Sequence, residues 1–213
     1  MIKNVIFDVD GVIRGYKNVK IKKLLSKENL KKYPQYFDLT IKEVLEKYKK
    51  LKVFEDYDLN KVTKAQLLEI VCKNASDPKE IIETAYNYPF TAKNNFVYKK
   101  VIKLITRLKK EGYKLYILSN MNKDIVSIIP EFLDISLFDD IIFSCNVGLA
   151  KPYDDIYNFA VKKWGISPEE SIFIDDKAVN LEGFSKLGGN VYCFDYKNER
   201  KSVKDLLKKI KNA

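Results

Sequence analysis

The 213-residue chain contains no histidine. This absence excludes Ser-His-Asp and Cys-His nucleophile systems, histidine general bases and histidine-ligated zinc sites. Any catalysis must therefore use carboxylates, lysines, hydroxyl groups and hard metal ions. Oxygen ligands of this kind favour magnesium, manganese or calcium over zinc.

Cysteine is scarce, and long apolar runs are missing. Cys72, Cys145 and Cys193 are far apart and form no Cys-x-x-Cys pair, which is typical of reduced, buried thiols. No apolar segment is long enough to span a bilayer, and the first residues are too few and too polar for a signal peptide. We therefore expect a cytoplasmic protein without a membrane partner.

Arginine is scarce as well. The formal net charge is +10, yet Arg14, Arg107 and Arg200 are the only arginines, so lysine supplies most of the positive charge. The lysine ammonium group is a solvated point charge, whereas the planar guanidinium group of arginine can donate two hydrogen bonds at once to a base or a phosphate. The lysines are also spread over many segments instead of one basic tail. This distribution argues against nucleic acid as the partner and favours small anionic substrates.

Apolar residues make up 46% of the chain and charged residues 32%, as in ordinary soluble globular proteins. Five short apolar runs have the pattern of strands that are buried on both faces: 2–7, 114–118, 141–143, 171–174 and 191–194. Helical periodicity separates the later runs: 96–111, 154–164, 177–187 and 201–210. The alternation predicts an α/β fold, with a Rossmann-like parallel sheet and helices on both faces.

Residues 16–93 interrupt this alternation and contain no convincing strand pattern. Helices are predicted over 41–51, from Thr63, where Thr63-x-x-Gln66 resembles a capping box, and from Asp77, as a cap before Pro78. We therefore predict a small helical cap domain over residues 16–93, inserted after the first strand of a core domain formed by residues 1–15 and 94–213.

Two carboxylates, Asp8 and Asp10, follow the first strand. Side chains two residues apart leave a strand on the same side, at the edge where ligands bind in such folds. One carboxylate could act as nucleophile and metal ligand and the other as acid and base. The alternative is an aspartate-rich turn that is closed by Gly11.

Polar residues follow three further strands. Ser119 and Asn120 could hold a phosphate oxygen or form a helix cap. Lys151 precedes Pro152, so its backbone is expected to be extended. Its ammonium group could reach a carboxylate or phosphoryl oxygen, or it could be a surface lysine. Asp175 and Asp176 are adjacent acids that repel each other unless a cation is present, which favours a metal site over a polar strand end.

The four clusters together resemble the haloacid dehalogenase (HAD) superfamily of phosphohydrolases. The matching stretches are Asp8-Val9-Asp10-Gly11-Val12, Ser119-Asn120, Lys151-Pro152 and Asp175-Asp176, the last followed by Asn180. The resemblance covers almost the whole chain, and the helical insertion stands where that superfamily has its type I cap.

The resemblance implies a role for each matching residue. Asp8 would be the nucleophile and a Mg²⁺ ligand, and Asp10 would act as acid and base with its carbonyl on the metal. Ser119, with the backbone of Asn120, would bind the phosphoryl oxygens. Lys151 would neutralise Asp8 and the phosphoryl group. The remaining metal ligands would be Asp176, directly, and Asp175, through water.

The implied activity is a magnesium-dependent phosphohydrolase that forms an aspartyl-phosphate on a small phosphorylated metabolite, such as a sugar phosphate or nucleotide. Dehalogenating members resemble the chain less, because they lack an acid at the position of Asp10. Three alternatives stay open: a phosphomutase of the β-phosphoglucomutase kind, a catalytically idle binding module, and a phosphatase that processes nucleic acid.

Overall fold

Seven strands lie within residues 1–212, the part of the chain that the computed structural model describes: β1 (Asn4–Phe7), β2 (Arg14–Tyr16), β3 (Asn95–Val97), β4 (Lys114–Ser119), β5 (Asp140–Phe143), β6 (Ser171–Asp175) and β7 (Asn190–Cys193). Five of them form a parallel sheet in the order β5-β4-β1-β6-β7. β1 is the middle strand, so the residue that follows it lies between the ends of β4 and β6.

The same range contains eleven α-helices: α1 (Lys27–Lys32), α2 (Ile41–Tyr48), α3 (Val53–Asp58), α4 (Lys64–Asn74), α5 (Lys79–Asn87), α6 (Lys99–Lys110), α7 (Lys123–Ile128), α8 (Ser144–Val147), α9 (Asp154–Trp164), α10 (Ala178–Lys186) and α11 (Glu199–Asn212). None of these helices combines the length and the apolar character that a membrane crossing requires.

Helices cover both faces of the sheet. In β1, Val5 and Phe7 pack into one apolar cluster with α6 and α11, whereas Ile6 packs into a second cluster with α9 and α10. This alternation follows from the twofold side-chain period of a strand. The predicted α/β fold with a Rossmann-like parallel sheet is confirmed.

The helix that was expected over 96–111 is shorter than predicted. It begins at Lys99, because Phe96 and Val97 belong to β3, which pairs antiparallel with β2. A strand of three residues is too short to produce a recognisable alternation, so the sequence showed only the helical stripe that follows it.

Helices α1 to α5 lie between β2 and β3 and have apolar clusters of their own. The capping box of Thr63 and Gln66 is present at the start of α4. The predicted Asp77 cap is wrong, because Pro78 is the N-cap of α5 and the Asp77 carboxylate accepts hydrogen bonds from Tyr36, Tyr48 and Lys47 instead.

Candidate active site

The ends of three neighbouring strands bring the predicted residues together. Asp8 directly follows β1, while Ser119 and Asp175 are the last residues of β4 and β6. Because parallel strands end at one edge of a sheet, their terminal side chains converge there. All three residues are buried, so this edge encloses two carboxylates.

Asp8 is held by two donors on one oxygen. Ser119 Oγ donates to Asp8 Oδ1 at 2.6 Å, and Lys151 Nζ lies 2.9 Å from the same oxygen. Burial raises the pKa of Asp8 to about 7, and the charge of Asp175 adds to this effect, whereas Lys151 and Ser119 oppose it. The carboxylate therefore has an environment that differs sharply from that of a surface aspartate.

Lys151 reaches the site from the segment after α8. The Asn120 amide fixes this segment, because its Nδ2 donates to the Lys151 carbonyl at 2.7 Å and its Oδ1 accepts from the Lys151 N–H at 2.8 Å. Lys151 Nζ also donates to the Leu118 carbonyl at 3.0 Å and to Asp175 Oδ2 at 2.6 Å. Burial alone would lower the pKa of Lys151, but the charges of Asp8 and Asp175 raise it above its ordinary value.

The Asp175 carboxylate is fully buried and surrounded by donors. Besides Lys151, it accepts hydrogen bonds from Asn180 Nδ2, at 3.0 Å to each oxygen, and from the Lys177 N–H at 2.8 Å. These contacts connect Asp175 to the protein on several sides and orient the lysine that neutralises Asp8.

Asp176 has a different environment. Its Oδ1 is buried and has no hydrogen-bond partner within residues 1–212. Burial raises the pKa of Asp176, with Lys177 opposing the shift. Oxygens of Asp8, Asp175 and Asp176 lie within 4.8 Å of one another, an arrangement that suits a hard divalent cation. The chain's own residues therefore fit a magnesium ion.

Gly11 makes room for the Asp176 carboxylate. Its φ is +82°, and a Cβ atom at this position would lie 2.4 Å from Asp176 Oδ2. Both the backbone conformation and the close approach therefore require glycine. Gly11, from the stretch that follows β1, therefore lies directly against Asp176, from the stretch that follows β6.

Asp10 stands apart from the buried group, with 56% of its side chain exposed. It forms an ion pair with Arg14, which is itself only 1% exposed and donates from Nε to Asn95 Oδ1 at 2.9 Å. Asn95 in turn donates to the carbonyls of Pro89 and Thr91. A buried, anchored arginine therefore orients the Asp10 carboxylate.

A family model for haloacid dehalogenase-like hydrolases matches residues 2–188 of the chain. The protein belongs to this family. The resemblance that the four clusters carried is therefore confirmed for the superfamily, while the type I class of the insertion stays a prediction.

Two relatives of this hydrolase and one solved structure extend the comparison. Glyceraldehyde 3-phosphate phosphatase of Pyrococcus furiosus is 27% identical over 205 residues, which cover 92% of this chain and 81% of the relative. D-ribitol-5-phosphate phosphatase of Bacteroides thetaiotaomicron is 26% identical over 198 residues, 88% and 89% of the two chains. A HAD family enzyme of the same bacterium, solved with magnesium and inorganic phosphate, shares the fold, with a TM-score of 0.64 and 22% identity over 91% and 94% of the chains.

In the HAD-like hydrolase described here, a cavity of about 230 Å³ lies between the helical insertion and the sheet domain. Asp10 and Arg14 contribute to its wall, and so do Asp58, Tyr86 and Asn122. Burial raises the pKa of Asp58 to about 6, and Asn122 Nδ2 donates to its Oδ1 at 3.2 Å. The cavity is smaller than the roughly 300–1,000 Å³ that is usual for drug-sized ligands.

The sequence analysis named Asn180 as the residue that follows the Asp175-Asp176 stretch, without giving it a role, and it named neither Asp58 nor Tyr86. In the structure α10 turns Asn180 back toward the end of β6, where it donates to Asp175. Asp58 and Tyr86 carry no sequence signal, because their position depends on how the inserted helices pack on the sheet domain.

Proposed function

We propose that this protein is a magnesium-dependent phosphatase that hydrolyses a small phosphorylated metabolite through an aspartyl-phosphate on Asp8. The observation that carries the proposal is the contact of Asp8 Oδ1 with both Ser119 Oγ and Lys151 Nζ beside the acidic pair of Asp175 and Asp176. A buried carboxylate with a hydroxyl and an ammonium group next to it suits nucleophilic attack on a phosphate ester.

The two phosphatase relatives support the choice of reaction, because each is named for a small phosphorylated carbohydrate or polyol and each aligns along most of this chain. Asp10 favours the same reaction over dehalogenation at carbon, since a phosphoryl transfer to and from Asp8 needs a second acid and base.

Each residue has a task in this proposal. Asp8 attacks the phosphorus atom, and the bond to the leaving-group oxygen breaks while Asp10 supplies the proton that this oxygen takes up. Asp10 then accepts a proton from the water that attacks the phosphorus of the aspartyl-phosphate, which releases phosphate and restores Asp8. Ser119 and Lys151 donate to the phosphoryl oxygens as negative charge develops on them.

Magnesium would be held by Asp8 and Asp176, with the Asp10 carbonyl and Asp175 as the further predicted ligands. When bound, the ion would neutralise part of the negative charge that the nucleophile and the phosphate dianion bring together. The unpartnered Asp176 Oδ1 supports this assignment, since a buried carboxylate oxygen without a donor is costly unless a cation occupies its surroundings.

The test is hydrolysis of an aryl phosphate, with magnesium and after chelation, by the wild type, Asp8→Asn and the control Asp38→Asn. Asp38 is a surface aspartate whose side chain is 82% exposed. We expect turnover that requires magnesium, is lost in Asp8→Asn and persists in Asp38→Asn, together with a phosphorylated wild-type chain in acid-quenched samples. A folded wild type that releases no phosphate would contradict the proposal and favour the mutase or the binding module.

A further inference from the structure

Ser144 is a buried serine that none of the steps proposed above uses. It is the first residue of α8, directly after β5, and it is 0% exposed. Its Oγ donates to the Asp58 carbonyl at 2.6 Å and accepts from the Met121 N–H at 2.9 Å. The Met121 carbonyl lies farther from this oxygen, at 3.4 Å, so the single hydroxyl proton belongs to the contact with Asp58. One hydroxyl therefore joins the inserted segment to the loop that follows β4.

This loop carries groups that would bind the phosphoryl oxygens. Ser119 and Asn120 directly precede Met121 in the chain. Ser119 Oγ donates to Asp8 Oδ1 at 2.6 Å. The Asn120 amide forms hydrogen bonds of 2.7 and 2.8 Å with the Lys151 backbone. A shift of the Met121 backbone would therefore displace Ser119 along the chain. It would displace Lys151 as well, through the Asn120 amide.

The end of α3 makes two further contacts with the same stretch of chain. Asp58 Oδ1 accepts from Asn122 Nδ2 at 3.2 Å. The Tyr57 hydroxyl donates to the Asp124 carboxylate. Tyr57, Asp58 and Asn122 also line the cavity, so a change at any of them could act on the substrate directly. Ser144 does not line the cavity, so an effect of its replacement on turnover must pass through its protein neighbours.

Resting on the phosphatase function proposed above, we infer that Ser144 is a positioning residue for the phosphoryl-binding groups. Its hydroxyl couples the docking of the inserted segment to the orientation of Ser119 and Lys151. Its hydrogen-bond partners within residues 1–212 are Asp58 and Met121, and not the acids that would hold magnesium. Donors to the phosphoryl oxygens matter most when negative charge develops there, so a displaced loop lowers kcat more than it raises KM.

The test compares Ser144→Ala with Ser171→Ala in the magnesium-dependent hydrolysis of an aryl phosphate. Ser171 is also 0% exposed, and its Oγ likewise donates to a carbonyl at 2.6 Å, that of Ser167. It accepts from Asn4 Nδ2 at 3.1 Å and begins β6, at the opposite end of that strand from the candidate active site. Each alanine variant leaves two polar groups unpaired, so the melting temperature of both should fall by about 3–10 °C.

Only Ser144→Ala should lose turnover. We expect its kcat to fall by about 10- to 100-fold, since a displacement of about 1 Å can cost this much, while KM changes by less than about threefold. Ser171→Ala should keep both constants near the wild-type values. Ser144→Thr retains the hydroxyl, so the folded variant should have a kcat within about threefold of the wild type. The magnesium concentration for half-maximal turnover should be the same in all variants.

Hydrogen exchange tests the connection to the inserted segment. In Ser144→Ala the backbone amides of residues 56–60 and 119–123 should both exchange faster than in the wild type, because the lost hydroxyl held these two segments together. In Ser171→Ala both segments should exchange at the wild-type rate. This measurement needs no substrate, so it also applies to a variant whose turnover is too slow to follow.

Equal kcat values for Ser144→Ala and Ser171→Ala would overturn this inference, and so would a folded Ser144→Thr that is as slow as Ser144→Ala. Wild-type exchange rates at residues 56–60 in Ser144→Ala would also overturn it. Any of these results would leave the proposed phosphatase function intact if the wild type hydrolyses the aryl phosphate with magnesium. A folded wild type without this hydrolysis would contradict the phosphatase function itself.

Discussion

Lys151 lies between Asp8 and Asp175, with its Nζ 2.9 Å from one carboxylate and 2.6 Å from the other. All three side chains are buried, and the Leu118 carbonyl accepts a further hydrogen bond from the same ammonium group. One lysine therefore neutralises two acids that would otherwise repel each other at the end of the sheet.

Replacement of this ammonium group should affect both stability and catalysis. We expect Lys151→Met to lower the free energy of unfolding by about 3–5 kcal/mol at neutral pH, because two buried carboxylates lose their cation. The kcat for an aryl phosphate should fall by about 10²–10³ when one charge-stabilising donor is lost. Urea denaturation and steady-state kinetics with magnesium measure the two effects.

Lys162 in α9 is exposed and serves as the control. Lys162→Met should change the free energy of unfolding by less than about 0.5 kcal/mol. Equal stability of the two variants would contradict the buried ion-pair arrangement.

Asp8 should make the metal-free protein less stable as the pH rises. Its pKa is raised from 3.8 to about 7, mainly by burial, so the native state binds this proton more tightly than the unfolded chain. The corresponding stability is fully present below about pH 4 and is lost as the pH rises through 7. In chelator we expect Asp8 to lower the free energy of unfolding by about 1.4 kcal/mol per pH unit between about pH 5 and pH 7, in addition to the contributions of Asp58 and Asp176, whose pKa values burial also raises.

Urea titrations at several pH values measure this slope. Asp8→Asn should reduce the slope by the contribution of this one group, whereas Asp38→Asn should keep it, because Asp38 is exposed to solvent. An identical slope in wild type and Asp8→Asn would assign the titration to another group.

A comparison of Gly11 with Gly112 separates the steric effect of a side chain next to Asp176 from the cost of backbone strain. Gly11 and Gly112 have similar positive φ angles, +82° and +88°, but a Cβ atom at Gly112 would meet nothing within 4 Å. Alanine should therefore cost both positions about 1–2 kcal/mol of backbone strain. Only Gly11→Ala should displace Asp176 and weaken magnesium binding, by about tenfold or more, as measured by the magnesium dependence of thermal unfolding. Equal magnesium affinity in both variants would refute the close contact.

Arg14 should act on turnover through Asp10. Arg14→Lys keeps the charge but loses the planar fork that donates to Asp10 and Asn95 together. We expect kcat for an aryl phosphate to fall by about 10- to 100-fold, with an altered pH profile, because Asp10 is no longer oriented. Arg107→Lys, on the exposed side of α6, is the control and should stay within about twofold of wild type. A wild-type pH profile in Arg14→Lys would exclude this positioning role.

The sheet and the core of the site were predictable because both depend on local patterns. Buried strands appear as apolar runs, and the polar residues that end them must meet at one edge of a parallel sheet. Asp8, Ser119 and Asp175 satisfy this rule directly. Lys151 lies outside any strand. The proline after it predicted an extended backbone and an ammonium group that could reach a carboxylate, but Asp8 as its partner was implied only by the resemblance.

The cavity between insertion and sheet domain was not predictable, for a physical reason. Tyr48 and Tyr86 both occupy buried positions of amphipathic helices, and in the sequence they look alike. Their difference arises only from tertiary packing, which gives the Tyr48 hydroxyl a partner in Asp77 and leaves that of Tyr86 without one. The pairing of β2 with β3 is equally invisible, since each strand has only three residues.

The pairing of β2 with β3 places Tyr16 and Asn95 opposite each other, so the polypeptide leaves the sheet domain and returns to it at a single point. The segment between these two residues can therefore be exchanged, lengthened or removed without changing the order of the strands in the central sheet. If the inserted segment selects the substrate and the end of the sheet breaks the bond, as the proposed function requires, the two tasks can change independently.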